Sequence, residues 1–178
     1  MTYYDLCRTS IGWCGVVVSH SAVERIFLAE FERESLLESI VRRFPESRLD
    51  TGLCRQAIDF LMRYFEQGAC VLPPAKFDSG EATDFQRRVW DITSTVAFGQ
   101  VRTYGWVAER LGCLKAARAV GGALGRNPLP LIVPCHRIVC SSGHLGGFSA
   151  TGGSGLKRKL LEHEGITFDV QGRVVGKV

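Results

Sequence analysis

Apolar positions in the first half of the chain fall first in runs and then at helical spacing. Residues 11–18 and 23–28 are rich in β-branched and apolar side chains and are separated by Ser19-His20-Ser21-Ala22, a pattern that predicts a hairpin. A charged stretch with helically spaced apolar residues follows at about 32–44. Residues 51–67 form a stronger helical pattern, with Ile58, Leu61, Met62 and Phe65 on one face and Gly68 just beyond the end. The proline pair in Val71-Leu72-Pro73-Pro74-Ala75 then interrupts regular structure, which predicts a linker over about 71–82.

The second half has a different rhythm, with short helices closed by turn residues. Thr83 is the expected N-cap of a helix running to about Val96, with Phe85, Val89, Trp90 and Ile92 facing inward. Phe98-Gly99-Gln100 is a turn, Thr103 caps a helix over 104–111, and Gly112 ends it. A third helix over 115–124 stops before Asn127-Pro128. Two short helices joined so closely match a helix-turn-helix, with 115–124 in the recognition position. That helix reads Lys-Ala-Ala-Arg-Ala-Val-Gly-Gly-Ala-Leu and lacks the Gln, Asn and Arg row that reads base edges in the major groove. Its small side chains fit either a tightly packed core helix or close approach to a minor groove. The apolar run at 131–133 predicts a short buried strand, with Pro134 preventing its continuation and Cys135 at its end.

Composition narrows the class. Hydrophobic residues make up 46% and charged residues 22%, which places the chain among core-forming globular proteins and not disordered ones. No apolar run approaches the roughly 18 residues that a membrane helix needs, and the N-terminal residues carry no signal-peptide pattern, so a cytoplasmic protein is expected. Residues 1–82 hold 9 Lys/Arg against 12 Asp/Glu, whereas residues 83–178 hold 13 against 6. The excess of positive charge is therefore confined to the second half, and it points to a polyanionic partner there.

The cysteines at 7, 14, 54, 70, 113, 135 and 140 are odd in number and contain no Cys-x-x-Cys pair, which argues against a disulfide framework or a zinc ribbon. Cys7, Cys14 and His20 are read as packing residues, not metal ligands, and Cys140 is expected to be buried. A free thiol with a pKa of about 8.5 is only slightly ionised at neutral pH, and an adjacent histidine can assist thiolate formation. Cys135 and His136 supply that pair, and Glu162 and Glu164 are both candidates to orient the imidazole. Lys157, Arg158 and Lys159 read as a solvated helix face.

The string Pro134-Cys135-His136-Arg137-Ile138-Val139 resembles the signature of the O6-alkylguanine-DNA alkyltransferase family, usually Pro-Cys-His-Arg-Val. Phe98-Gly99-Gln100-Val101, Tyr104, Ala116-Ala117-Arg118-Ala119-Val120-Gly121-Gly122 and Asn127-Pro128 extend the resemblance over about 85–165. It implies an α/β (α+β) architecture: a small N-terminal sheet-and-helix domain at 1–82, then a winged-helix-like helix-turn-helix alkyltransferase domain at 83–178.

The resemblance further implies DNA repair by irreversible, single-turnover transfer of an alkyl group from O6-alkylguanine to Cys135. Its partner would be double-stranded DNA entered from the minor groove with the target base flipped. The protein would act as a monomer, away from membranes, and without cofactor or metal. His136 would take the thiol proton through a water, and Glu164, just before Gly165, would fix the His136 tautomer. Tyr104 would press on the 3′ phosphate and donate toward guanine N3, and Arg118 would fill the space left by the flipped base. Lys115, Ala117 and Gly121 would line the DNA-facing side of the same helix. Asn127 would tie the recognition helix to the active-site strand, Pro130 would wall the alkyl pocket, and the carbonyls near Val133 and Cys135 would accept from the guanine amino group. Phe148 would cover the base and Ser149 would offer its N–H to O6. This loop departs from the family's Gly-Tyr-Ser-Gly-Gly, since it reads Gly147-Phe148-Ser149-Ala150-Thr151-Gly152-Gly153, without the hydroxyl and about two residues longer.

Three rival functions follow from the same residues. They are a damage-binding protein without chemistry, a cysteine hydrolase, and a transcription regulator using the helix-turn-helix.

Overall fold

The structure is a computed structural model that describes residues 1–19, 22–68 and 82–175. The turn residues His20 and Ser21, Cys70 and all but the last residue of the expected linker lie outside the described residues. The chain divides into two compact units, Met1–Gly80 and Glu81–Val178.

The first unit is a sheet backed by helices. Strands β1 (Thr2–Thr9), β2 (Gly12–Ser19) and β3 (Ala22–Glu30) form an antiparallel meander, and the short β4 (Arg48–Leu49) adds in parallel to β1, giving the order β3-β2-β1-β4. β1 is absent from the sequence expectation, because Thr2–Thr9 mixes polar and apolar residues with no clean alternation and is half-buried along most of its length. Helix α1 (Arg33–Arg43) buries Leu36 and Ile40 against Val17, around which Tyr4, Leu6, Trp13, Phe27 and Phe44 pack.

Helix α2 spans Thr51–Gln67, as its pattern predicts, and starts where the Asp50 carboxylate accepts from the Leu53 N–H at 2.9 Å. Its buried face differs from the expected one. Cys54, Ala57, Phe60, Leu61, Tyr64 and Phe65 are buried, whereas Ile58 and Met62 are only half-buried. The helix packs on β1 and β2, and its buried stripe includes the small Cys54 and Ala57.

The second unit opens with α3 (Asp84–Ser94), held by a reciprocal capping box between Thr83 and Gln86. It buries Val89, Trp90 and Thr93, while the expected Phe85 and Ile92 are half-buried. The Trp90 indole donates to the Ala123 carbonyl at 3.0 Å and ties α3 to the helix that follows the turn. Thr103 caps α4 (Tyr104–Arg110) by accepting from the Trp106 N–H, and Gly112 ends the turn at φ +74°. Helix α5 covers Ala117–Leu124, two residues shorter at its start than expected. Helices α4 and α5 pack on each other and on α3, which is the expected helix-turn-helix arrangement.

Beyond α5, the expected strand at 131–133 is absent. Leu131 adopts φ +74° in a turn that brings Pro130 to Val133 as an isolated bridge, because the two flanking prolines leave too few N–H groups to build a ladder. Cys135–Arg137 then form one 3₁₀ turn, and β6 (Ile138–Val139) pairs in parallel with β5 (Arg102–Thr103). Helix α6 (Gly153–His163) buries Leu156, Lys157, Leu160 and Leu161. Among the described residues no helix is long and apolar enough to cross a membrane.

Candidate active site

The residues around Cys135 reach it from four directions within the second unit. Cys135 opens the 3₁₀ turn and is 7% exposed, at the wall of a cavity of about 640 Å³. Its thiol accepts from the Asn127 side-chain amide at 3.2 Å. The same amide donates to the Val133 carbonyl at 2.9 Å, and the Asn127 carbonyl oxygen accepts from the Leu129 N–H. A single buried side chain thus joins the end of α5, the proline turn and the thiol. Burial pushes the Cys135 thiol up from its ordinary value, and the Asn127 hydrogen bond and the Lys157 charge pull it back.

His136 is fully buried beside it. Its Nε2 lies 2.8 Å from Glu164 Oε1, the carboxylate that ends α6. A carboxylate at that atom favours the Nε2–H tautomer and leaves Nδ1 as the basic nitrogen. Burial lowers the His136 pKa, which favours the neutral ring.

Glu164 is the hub of this network. Arg137 donates to both its oxygens at 2.8–3.0 Å, the Gly99 N–H donates to Oε2 at 3.1 Å, and Arg137 also reaches the Val96 carbonyl at 2.7 Å. Burial alone would raise the Glu164 carboxyl, but the His136 and Arg137 hydrogen bonds and charges bring it down to about 2. The alternative carboxylate, Glu162, is exposed and paired with Arg158 at 2.8 Å, away from the imidazole.

The cavity is lined by Ala117, Arg118 and Gly121 of α5, by Gly146, Gly147, Phe148 and Ser149 of the later loop, and by Tyr104 and Cys140. Arg118 is exposed at the rim. Tyr104 is half-buried, and burial together with the two nearby thiols raises its hydroxyl to about 12. A Cβ at Gly121 would meet the Tyr104 ring at 3.8 Å, an ordinary van der Waals contact, so this face of α5 lies directly against the α4 tyrosine.

Several sequence expectations need correction. Pro130 and Val133 are buried but do not line the cavity, and the Val133 carbonyl already accepts from Asn127 and from the Cys135 N–H at 2.7 Å, so it has no lone pair left for a base. Lys115 is exposed and lines a shallow groove with Gly112, Cys113, Leu114 and Ala116, apart from the main cavity. Cys140 is half-buried and faces the cavity, contrary to the expected burial, because β6 ends at Val139 and the chain turns there.

Lys157 is the largest discrepancy. It is fully buried, while its neighbours Arg158 and Lys159 are exposed. Its ammonium donates to the Ile138 and Leu145 carbonyls, each at 2.6 Å. Arg137 is the second residue the sequence reading left without a role. Helical spacing carries a signal for Lys157, which lies on one stripe with Leu160, Leu161 and Glu164. Among the described residues, no group of three or more His, Cys, Asp or Glu side chains is arranged to hold a metal ion.

Fold and site together define a helix-turn-helix domain whose second helix flanks a pocket ending at one buried cysteine. Residues 84–166 match the family model described as the 6-O-methylguanine DNA methyltransferase, DNA binding domain. A methylated-DNA–protein-cysteine methyltransferase of Methanothermobacter thermautotrophicus is 46% identical over 136 residues, 76% of this chain and 74% of the relative. The Mycobacterium bovis protein of the same name is 44% identical over 115 residues, 65% of this chain and 67% of the relative. The crystal structure of Mycobacterium tuberculosis OGT in complex with DNA is similar at a TM-score of 0.75 and 34% identity, covering 91% of this chain and 92% of that one. The chain belongs to the methylated-DNA–protein-cysteine methyltransferase family.

Proposed function

We infer that this protein repairs DNA by moving the alkyl group of O6-alkylguanine onto Cys135. The observation that carries the reading is the Asn127–Cys135 hydrogen bond beside the His136–Glu164–Arg137 network of the next residue, behind a pocket lined by Arg118. A Cys135 thiolate attacks the alkyl carbon in line with the C–O6 bond, the C–S bond forms, and the C–O6 electrons leave with guanine. The thiol proton goes through a water to His136, whose positive charge is then held by Glu164 at 2.8 Å. Guanine takes a proton at N3 from Tyr104.

The base reaches Cys135 by leaving the duplex, which costs a few kcal/mol and least for a poorly paired lesion. Helix α5 enters the minor groove, where Ala117 and Gly121 permit close approach and Arg118 takes the vacated position in the stack. Phe148 covers the flipped base and Ser149 offers its N–H to O6. A thioether has no ready leaving step, so each molecule acts once. The protein works as a monomer in the DNA-containing cytoplasm, a reducing compartment that suits its cysteines.

Intact-protein and peptide mass spectrometry after incubation with a duplex holding one O6-methylguanine tests this. The expected result is one methyl gained for one hydrogen, confined to the Cys135 peptide and reaching one per protein. Binding of the lesion duplex with no mass gain would replace the reading by damage recognition without chemistry.

A further inference from the structure

Lys157 is a buried cation that the reaction above does not use. It comes from the inner face of α6, and its ammonium is enclosed by oxygen atoms of three other segments. These are the Ile138 carbonyl of β6 at 2.6 Å, the Leu145 and Gly147 carbonyls of the cavity loop at 2.6 and 3.5 Å, and the Tyr104 hydroxyl of α4 at 3.4 Å. The Tyr104 ring centroid is 5.6 Å from the same nitrogen. Carbonyl oxygens satisfy the donors but leave the positive charge unneutralised, and among the described residues no carboxylate forms an ion pair with it. Such a charge is costly to bury and is best explained by an anion that forms nearby.

Resting on the alkyl-transfer reading, we propose that Lys157 is a positioning residue for the leaving base, acting through Tyr104. It holds the cavity loop and the phenol in place, and its charge offsets the negative charge that Tyr104 acquires on giving its proton to guanine N3. Tyr104 by itself is a poor acid, held at about 12 by burial and then by Cys140 and Cys135. The proton passes from the Tyr104 oxygen to N3 as the C–O6 bond breaks, and the phenolate is left facing the Lys157 ammonium. A proton from Nζ can then return Tyr104 to the neutral form. Lys157 is the weaker base of the pair, since burial brings it down to about 8 while the Cys135 and Cys140 thiols pull it back up. The titratable groups around it are Tyr104 on α4, Cys135 and His136 in the 3₁₀ turn, and Cys140 after β6.

The test is a double-mutant cycle on the full chain. Single-turnover methyl transfer from a duplex with one O6-methylguanine is measured at saturating protein for wild type, K157M, Y104F and the double variant. K157M and Y104F are each expected to slow transfer about 10²-fold, in the range of a lost general acid. The double variant should be no slower than the slower single one within about 3-fold, because the two residues act as a unit. Losses that multiply would mean that Lys157 acts independently of Tyr104, as a structural clamp or through its charge on the Cys135 thiol, and would overturn the proposal.

A second measurement leaves Lys157 in place and serves even where K157M does not fold. The wild-type-to-Y104F rate ratio is followed against pH, so that the thiol and imidazole titrations common to both proteins cancel. The ratio should fall as pH rises through about 8, where the lysine loses its proton. A flat ratio would overturn the proposal. A wild type that transfers no methyl group to Cys135 would instead remove the alkyl-transfer reading itself, and the proposal with it.

Discussion

The two units each bury cysteines, and the contrast between them shows that burial does not decide what a thiol does. In the first unit Cys7 and Cys54 are pushed up to about 12 by burial, and nearby acidic groups add to the shift, the Cys14 thiol and Asp5 for one and Asp5 and Asp50 for the other. Cys14 is fully buried and also raised, chiefly by burial. These thiols behave as small apolar side chains. Cys135 is just as deeply placed, yet it has an amide donor at 3.2 Å, a lysine charge within electrostatic reach and a base in the next residue. The acidic first unit raises its thiols twice over, whereas the second supplies partners for the anion.

Replacing Cys135 by serine has the largest expected effect. Methyl transfer should vanish, because a hydroxyl at neutral pH is far from ionised, while lesion-duplex binding persists in a gel-shift assay. The matching changes in the first unit, C7A and C54A, should leave the transfer rate of the folded protein within about 2-fold, and a larger loss would break the comparison.

Next comes E164Q, expected to slow transfer about 10²–10⁴-fold by removing the group that orients His136 and holds its charge. It also leaves Arg137 buried without its carboxylate, a destabilisation of about 3–5 kcal/mol by denaturant titration. The same carboxyl sets a pH dependence. Its folded pKa of about 2 lies below the usual value of 4.5, so the stability it contributes is present above pH 4.5 and is lost as pH falls toward 2. An acid titration of stability should therefore be shallower in E164Q over that window.

N127A should be milder, destabilising by about 1–3 kcal/mol because the buried Val133 carbonyl loses a donor, and slowing transfer at saturating DNA. The smallest effect concerns reagent access. Iodoacetamide on the folded protein should label the exposed Cys113 first and Cys140 next, and should leave Cys7, Cys14 and Cys54 untouched until the chain is unfolded. Early labelling of Cys54 would erase the distinction between the units.

What was legible in the sequence was mostly local. Thr83, Thr103, and Gly68 after 51–67 announce helix ends through capping chemistry that depends on neighbours three or four residues away. The Cys135–His136 pair and Glu164 were readable because the motif string is uncommon. Lys157 was legible only in part, since its spacing with Leu160, Leu161 and Glu164 marks the inner stripe of α6, while the carbonyls 10 to 19 residues distant that receive its ammonium follow from no periodicity. The stretch at 131–133 misled because Leu-Ile-Val suits a strand, yet a turn at Leu131 places Val133 where Asn127 and Cys135 can use its carbonyl. Helix α2 was found at its full length with its inner face misjudged, because the sheet it meets selects the stripe.

Gly146 bears on how such a pocket can evolve. Its φ of +70° disfavours every L side chain, and a Cβ there would sit 3.0 Å from the Tyr104 hydroxyl and 3.4 Å from the Cys140 sulfur. Nothing lies within 4 Å of the corresponding point at Gly147. Variation that broadens or narrows the range of accepted adducts is therefore closed to position 146 and open at 147 and its neighbours Phe148 and Ser149. A selection for new adduct preferences should accumulate its changes on that outer half of the loop, with the inner glycine left as it is.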